Sequence, residues 1–98
     1  MPETEYRASR ICRVLGNPTA YQIVKFLIGS RKKPSEIAQA LGLSLPLVSL
    51  TLRTLRNVDL LRYDIKGTEK IYWIKQGTLE NVCGTLESLV TQLRCKKW

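Results

Sequence analysis

Residues 34–57 constrain the fold of this chain of 98 residues more than any other segment, because they predict two short helices joined by a tight turn. Pro34 suits the first turn of the first helix, and Gly42 supplies the left-handed residue that ends it. Ser44 caps the second helix, and Pro46 lies in its first turn, where the missing N–H is harmless. This pattern predicts a helix-turn-helix, a motif whose second helix lies in the major groove of DNA.

A change of periodicity after this motif predicts a β-hairpin. Residues 60–75 contain two runs rich in β-branched and aromatic residues, separated by a basic turn with a glycine at residues 66–69. A helix-turn-helix followed by such a hairpin is a winged helix. The predicted fold class is therefore mainly α with a small β-hairpin, as one winged helix-turn-helix domain over residues 1–98 with the hairpin between its fourth and fifth helices.

Helical periodicity predicts three more helices, at residues 5–15, from Pro18 to about Ile28, and at residues 78–96. Apolar residues recur along the last of these at spacings of three and four, in a stripe that a small domain cannot cover alone. We expect the first and last helices to pack together and form the interface of a homodimer. The residues expected there are Ala8, Ile11, Cys12, Leu15, Leu79, Val82, Cys83, Leu86, Leu89 and Leu93.

The charge of the chain favours an anionic partner. The formal net charge is +8 and the isoelectric point is near 9.8, and most of the excess lies between residues 31 and 77. Such a surface suits nucleic acid or an anionic membrane. No apolar run approaches the roughly 20 residues that span a bilayer, and the N-terminus lacks the apolar core of a signal peptide. We expect a cytoplasmic protein that has no membrane partner.

The composition argues against catalysis. The sequence contains no histidine, which is the commonest general base and the commonest metal ligand. It also lacks a recognisable nucleophile–base set, a phosphate-binding glycine loop and a pair of catalytic carboxylates. We therefore expect no enzyme activity, no cofactor and no metal site.

Three stretches resemble the ArsR/SmtB family of winged-helix repressors, which are small dimeric regulators of bacteria and archaea. They are LGNPTAYQIVKFL, PSEIAQALGLSLPLVSLTLRTLRNVDLLR and the hairpin that follows, and together they cover about residues 13–74. The resemblance implies a sequence-specific homodimeric repressor that binds a near-palindromic site on double-stranded DNA. The alternative is an architectural or protein-interaction winged helix with little base specificity.

The chain departs from the family at its best-known metal sites. Metal sensors of the family carry a cysteine pair in the third helix, where residues 36–41 of this chain read EIAQAL, or Asp and His ligands on the last helix, where no histidine is present. The resemblance therefore does not imply metal sensing. Asp59 also replaces the usual glycine before the hairpin, which suggests a slightly different path of the backbone into the first strand.

The second helix of the motif should bury Val48, Leu52 and Leu55, since these residues share one helical face. The resemblance assigns base contacts to the first half of the exposed face, and the basic hairpin tip is suited to the DNA backbone. The residues expected to bind DNA are Ser44, Leu45, Pro46, Leu47, Ser49, Leu50, Arg53, Thr54, Arg56, Lys66 and Lys70. Further candidates for phosphate contacts are Arg31, Lys32, Lys33, Arg62 and Lys75.

Three leucines are unusual on a helix expected to read bases. Leu45, Leu47 and Leu50 stand where members of the family usually have polar residues. Three interpretations are open: the leucines contact thymine methyl groups, neighbouring structure covers them, or this surface binds protein instead of DNA.

The cysteines also leave alternatives open. Cys12 and Cys83 lie on helices that pack together in the family, so their thiols can approach each other. They are interpreted as small apolar residues of the interface, as a thiol switch or soft-metal site that releases DNA, or as a stabilising disulfide. Cys95 falls outside the apolar stripe and lies too far along the helix to join Cys83.

Overall fold

The computed structural model describes residues 2–75 and 77–95, with the side chain of Cys95 excepted. Its five helices and two strands follow the predicted order, and the predicted winged-helix fold class is confirmed. The first helix begins two residues earlier than predicted, and Lys96, the predicted end of the last helix, lies outside the described residues. The elements are α1 (Glu3–Leu15), α2 (Pro18–Leu27), α3 (Pro34–Leu41), α4 (Leu45–Asn57), β1 (Leu61–Lys66), β2 (Glu69–Ile74) and α5 (Thr78–Cys95).

Local capping interactions set the ends of the central helices. The side-chain oxygen of Asn17 accepts hydrogen bonds from the N–H groups of Thr19 and Ala20 at 2.9 and 3.1 Å, which caps α2. The turn between α3 and α4 is made by Gly42, whose φ of 67° lies in the left-handed region. Ser44 caps α4 by accepting the Leu47 N–H at 3.3 Å. These contacts fix the relative direction of α3 and α4.

One hydrophobic core joins all the elements. It is formed by the end of α1, by α2, α3, α4 and the two strands, and by the first part of α5, and most of its members have no accessible surface. Burying a large aliphatic side chain contributes roughly 1.5–3 kcal/mol relative to exposure, so this core holds α4 in place. Its members are Leu15, Ala20, Ile23, Val24, Leu27, Ile37, Val48, Leu52, Leu55, Leu61, Tyr72, Leu79 and Cys83.

The two strands form an antiparallel hairpin, which is the wing. Leu61 pairs with Ile74 at its base and Lys66 with Glu69 at its tip, where Gly67 adopts a φ of 63°. A contact that the sequence did not predict ties the wing to the loop between α2 and α3. Lys32 and Tyr72 exchange two backbone hydrogen bonds, at 3.0 and 2.8 Å. The wing is thus attached to the rest of the protein in two ways, by the chain that leads from α4 into β1 and by the pairing of β2 with the α2–α3 loop.

Asp59 adopts the conformation for which a glycine is suited. Its φ is 68°, so an aspartate occupies the left-handed region at the position where the family has glycine. The Lys75 ammonium contacts its carboxylate at 2.7 Å, and that contact holds the pKa of Asp59 below its ordinary value. The backbone therefore enters the first strand in a conformation typical of glycine, although the residue differs.

No single helix among the described residues is long and apolar enough to cross a membrane. The α3 and α4 helices together have the length and apolar composition of a membrane span, but they are bent by 117° at the turn between them. The apolar residues responsible include Ile37 and Leu52, which are fully buried in the core described above.

Candidate nucleic-acid interface

The exposed face of α4 lies opposite its buried residues. Val48, Leu52 and Leu55 have no accessible surface and hold the helix against the core. The eleven residues expected to bind DNA, from Ser44 to Lys70, are all exposed, on α4, at its cap or on the wing, whereas the further phosphate candidates Lys32, Lys33 and Lys75 are half-buried. The structure therefore brings the predicted set to accessible positions on two neighbouring elements. Their roles remain predictions.

The three leucines at the start of α4 are accessible within this chain. Leu45 is 49% exposed, Leu47 is 40% exposed and Leu50 is 60% exposed. The interpretation that neighbouring structure of the same chain covers them is therefore wrong. Contact with thymine methyl groups and contact with a protein are the two interpretations that remain.

An aromatic ring brings cations from α4 and the wing together. The Arg56 guanidinium lies 4.9 Å from the centroid of the Tyr63 ring, and the Lys70 ammonium lies 4.7 Å from the same centroid. Cation–π attraction holds both side chains beside the ring without neutralising their charge. Neither cation has a carboxylate partner within the part of the chain that is described. Both charges are therefore available to an anion such as a DNA phosphate.

Three other candidates for phosphate contacts instead hold carboxylates. Arg31 contacts Asp64 at 2.9 Å and stacks over the Trp73 ring at 4.7 Å. Lys33 contacts Glu69 at 2.7 Å, which raises the pKa of Lys33, and Lys75 contacts Asp59 as described above. These pairs tie the wing to the α2–α3 loop and to the end of α4. Arg31, Lys33 and Lys75 thus take part in holding the wing, and their contacts with phosphates stay a prediction.

The α5 helix carries an uncovered apolar surface along most of its length. Val82, Leu86, Leu89 and Leu93 are 41–49% exposed, although all are apolar. Val90, also 49% exposed, extends this surface and was missed by the sequence reasoning, although it lies four residues after Leu86 and three before Leu93. We call these five residues the α5 apolar surface.

The other residues predicted for the dimer interface divide into buried and accessible groups. Leu15, Leu79 and Cys83 are buried in the core of their own chain at 7%, 5% and 0% exposure. They therefore present little or no surface to a partner. On α1, Ala8 and Cys12 are exposed, whereas Ile11, half-buried, packs against the core.

A polar cluster fixes the orientation of α5 against α2. The Tyr21 hydroxyl donates to the Glu87 carboxylate at 2.7 Å, and the Lys25 ammonium lies 2.8 Å from the same oxygen. These contacts lower the pKa of Glu87, chiefly through Lys25, and raise the pKa values of Tyr21 and Lys25. Glu87 thereby faces its own chain, whereas Val82, Leu86, Leu89 and Leu93 remain accessible.

The two described thiols are free and lie in different environments. Cys12 is exposed on α1, and Cys83 is fully buried on the inner face of α5. A buried thiol is reached by an oxidant only when the structure around it opens, so the two cysteines are not equally accessible. Among the described residues no group of three or more His, Cys, Asp or Glu side chains is arranged to hold a metal ion.

The fold and a family match together define a class of protein. Five helices with a wing after the fourth form a winged helix-turn-helix, and residues 17–63 match the model of the family described as "Bacterial regulatory protein, arsR family". These residues therefore match the helix-turn-helix of the ArsR family, as the resemblance in the sequence implied. No curated protein sequence matches the chain.

Solved structures share this fold along nearly the whole chain. NolR from Sinorhizobium fredii aligns with a TM-score of 0.80 at 21% identity, covering 89% of this chain and 87% of its own. HlyU from Vibrio cholerae aligns with a TM-score of 0.76 at 20% identity, covering 98% and 100%. A homodimeric winged helix-turn-helix DNA-binding domain from Mycobacterium bovis, described as that of a possible ArsR-family regulator, aligns with a TM-score of 0.80 at 20% identity, covering 94% and 89%. At these identities the likeness establishes the fold.

Proposed function

We propose that the protein is a homodimeric transcriptional repressor that binds a near-palindromic operator with α4 and the wing. The observation that carries this proposal is the exposed face of α4 beside the cations held by Tyr63. A helix with one accessible face, supported by a core and flanked by basic side chains, suits the major groove with phosphates on either side. Repression would follow from occupation of the operator.

The α5 apolar surface supports the homodimer. Five apolar side chains that are 41–49% exposed on one helix are more than isolated surface leucines, and a second copy of the same surface would cover them. A two-fold dimer places two α4 helices on one face, and binding to successive major grooves requires them to lie about 34–36 Å apart. The solved neighbour from Mycobacterium bovis is described as homodimeric, which supports a homodimer here.

Regulation at the usual metal sites of the family is not part of the proposal. Residues 36–41 contain no thiol, and the whole sequence contains no histidine. Neutral nitrogen and thiolate ligands are the donors that such sensors need. We propose a regulator that binds neither a metal nor a cofactor at these positions and acts on DNA in the cytoplasm.

Selection of bound sequences from random duplex DNA tests the function. We expect the purified protein to enrich a near-palindrome and to bind it roughly 10³-fold or more tightly than random duplex, as specific DNA-binding proteins do. Placed across a promoter, the enriched site should lower transcription in a purified system when the protein is added. A ratio near one would contradict the repressor and favour the architectural alternative.

A further inference from the structure

The exposed surface of α4 is divided lengthwise into two different flanks. Residues spaced by three and four positions share one side of a helix, which places Leu47, Leu50, Thr51 and Thr54 together. We call this set the apolar flank. The other side carries Ser49, Arg53 and Arg56, of which Arg56 contacts Tyr63 of the wing. The polar flank therefore lies beside the wing, and the apolar flank lies on the other side of the exposed face.

The hydroxyl groups of the apolar flank are already used within the helix. Thr51 donates to the carbonyl of Leu47 at 2.8 Å, and Thr54 donates to the carbonyl of Leu50 at 3.1 Å. Each hydroxyl proton is thus used in a hydrogen bond to the helix backbone and is not available to a base edge. Leu50, at 60% exposure, and Leu47, at 40%, dominate what this flank presents.

The charges around α4 indicate what the apolar flank contacts. Arg56 and Lys70 flank the Tyr63 ring on the wing side of the helix. When these cations engage phosphates, the rest of the exposed face of α4 lies against base edges in the major groove. The only apolar group that base pairs present there is the C5-methyl of thymine. The positive charges of Arg56 and Lys70 therefore favour duplex DNA over a protein as the partner of the apolar flank.

We propose, on the basis of the DNA binding put forward above, that Leu47 and Leu50 read the C5-methyl groups of thymines in each half-site. The operator then carries A·T pairs at the positions that face the first two turns of α4. Discrimination at these positions comes from methyl contacts and needs no hydrogen bond from the flank. Ser49 and Arg53, on the other flank, contact the neighbouring positions.

Replacing thymine with deoxyuridine in the selected operator tests this proposal, because the change removes the methyl group and keeps the hydrogen-bonding edge. We expect affinity to fall about threefold to fourfold for each methyl group lost, from the transfer free energy of a buried methylene-sized group. Two contacts in each half-site give a loss on the order of a hundredfold for the whole operator. Affinity for random duplex should be the same with thymine or deoxyuridine. The measurement is fluorescence anisotropy at fixed salt.

Two variants link the effect to the helix. The double variant Leu47→Ala with Leu50→Ala should bind the thymine and deoxyuridine operators nearly equally, while its affinity for random duplex stays that of the wild type. The control is Ile65→Ala, which removes an apolar side chain of the wing that is 65% exposed and should keep the discrimination.

The outcomes separate this inference from the proposed function. Equal wild-type affinities for the two operators, with selective binding retained, would overturn the methyl readout and leave the repressor standing. They would also make a protein the better occupant of the apolar flank. Failure to select or bind any duplex would overturn the proposed function itself.

Discussion

Replacing both Leu86 and Leu89 with glutamate should leave the chain folded but monomeric, and the monomer should bind the operator about 10²- to 10⁴-fold more weakly. Both leucines belong to the α5 apolar surface and are 41% and 49% exposed, so glutamate is tolerated in a single chain. In a dimer the same carboxylates would be buried without partners, which is costly. The monomer loses affinity because it binds one half-site only, whereas in the dimer the second subunit binds the second half-site within the same complex.

Sedimentation equilibrium and anisotropy titrations measure the two effects, with circular dichroism as a check on folding. Asn81→Glu with Ser88→Glu is the matched control, since it adds the same two charges to exposed positions of α5 away from this surface. The control should remain dimeric and bind DNA as the wild type does. A double leucine variant that stays dimeric, or a monomer with undiminished affinity, would show that another surface makes the dimer.

The second large effect is on the salt dependence of binding. Arg56, Lys66 and Lys70 are the phosphate ligands that we expect, and the dimer doubles them to about six contacts, which gives a slope of log K against log salt near −5. Affinity should therefore fall about 10³-fold between 50 and 200 mM monovalent salt. Lys66→Gln should reduce the magnitude of the slope by about 2, because each dimer loses two contacts.

Lys75→Gln is the control for this measurement. The Lys75 ammonium contacts the Asp59 carboxylate at 2.7 Å and already has an acidic partner, so its loss should leave the slope unchanged. A wild-type affinity that hardly responds to salt would exclude the phosphate contacts. A slope that changes as much with Lys75→Gln as with Lys66→Gln would show that the cations have been assigned wrongly.

Local rules were sufficient to predict the elements of the fold. Asn17, Gly42 and Ser44 act through hydrogen bonds or backbone conformations that span only two to four residues, so the sequence alone shows them. The buried face of α4 follows from helical spacing in the same way. The winged-helix class was therefore predictable before any tertiary contact was known.

Contacts between distant parts of the chain were not predictable. Arg31 and Asp64 are 33 residues apart, and nothing in either local sequence marks them as partners. The pairing of Lys32 with Tyr72 involves one residue on each side and has no periodicity of its own. The carboxylate partners of Arg31, Lys33 and Lys75 could therefore not be predicted from the sequence.

The sequence predicted the apolar stripe of α5, but it did not predict which part of the stripe is buried in the core and which part is exposed. Helical spacing places Leu79, Cys83 and Leu86 close to one another around the axis, and it does not show which of them their own chain covers. The structure separates them, since Leu79 and Cys83 belong to the core and Leu86 is exposed. The Tyr21–Glu87 contact, which orients the helix, depends on packing against α2.

Methylation protection on the selected operator tests the central claim, that α4 lies in the major groove of a duplex, most directly. Dimethyl sulfate modifies guanine N7 in the major groove and adenine N3 in the minor groove, so one reaction reports on both grooves. We predict that the protein protects guanine N7 in two patches whose centres are about one helical turn apart, roughly 34–36 Å. Unprotected guanines beside a bound protein, or protection confined to adenine N3, would contradict the claim.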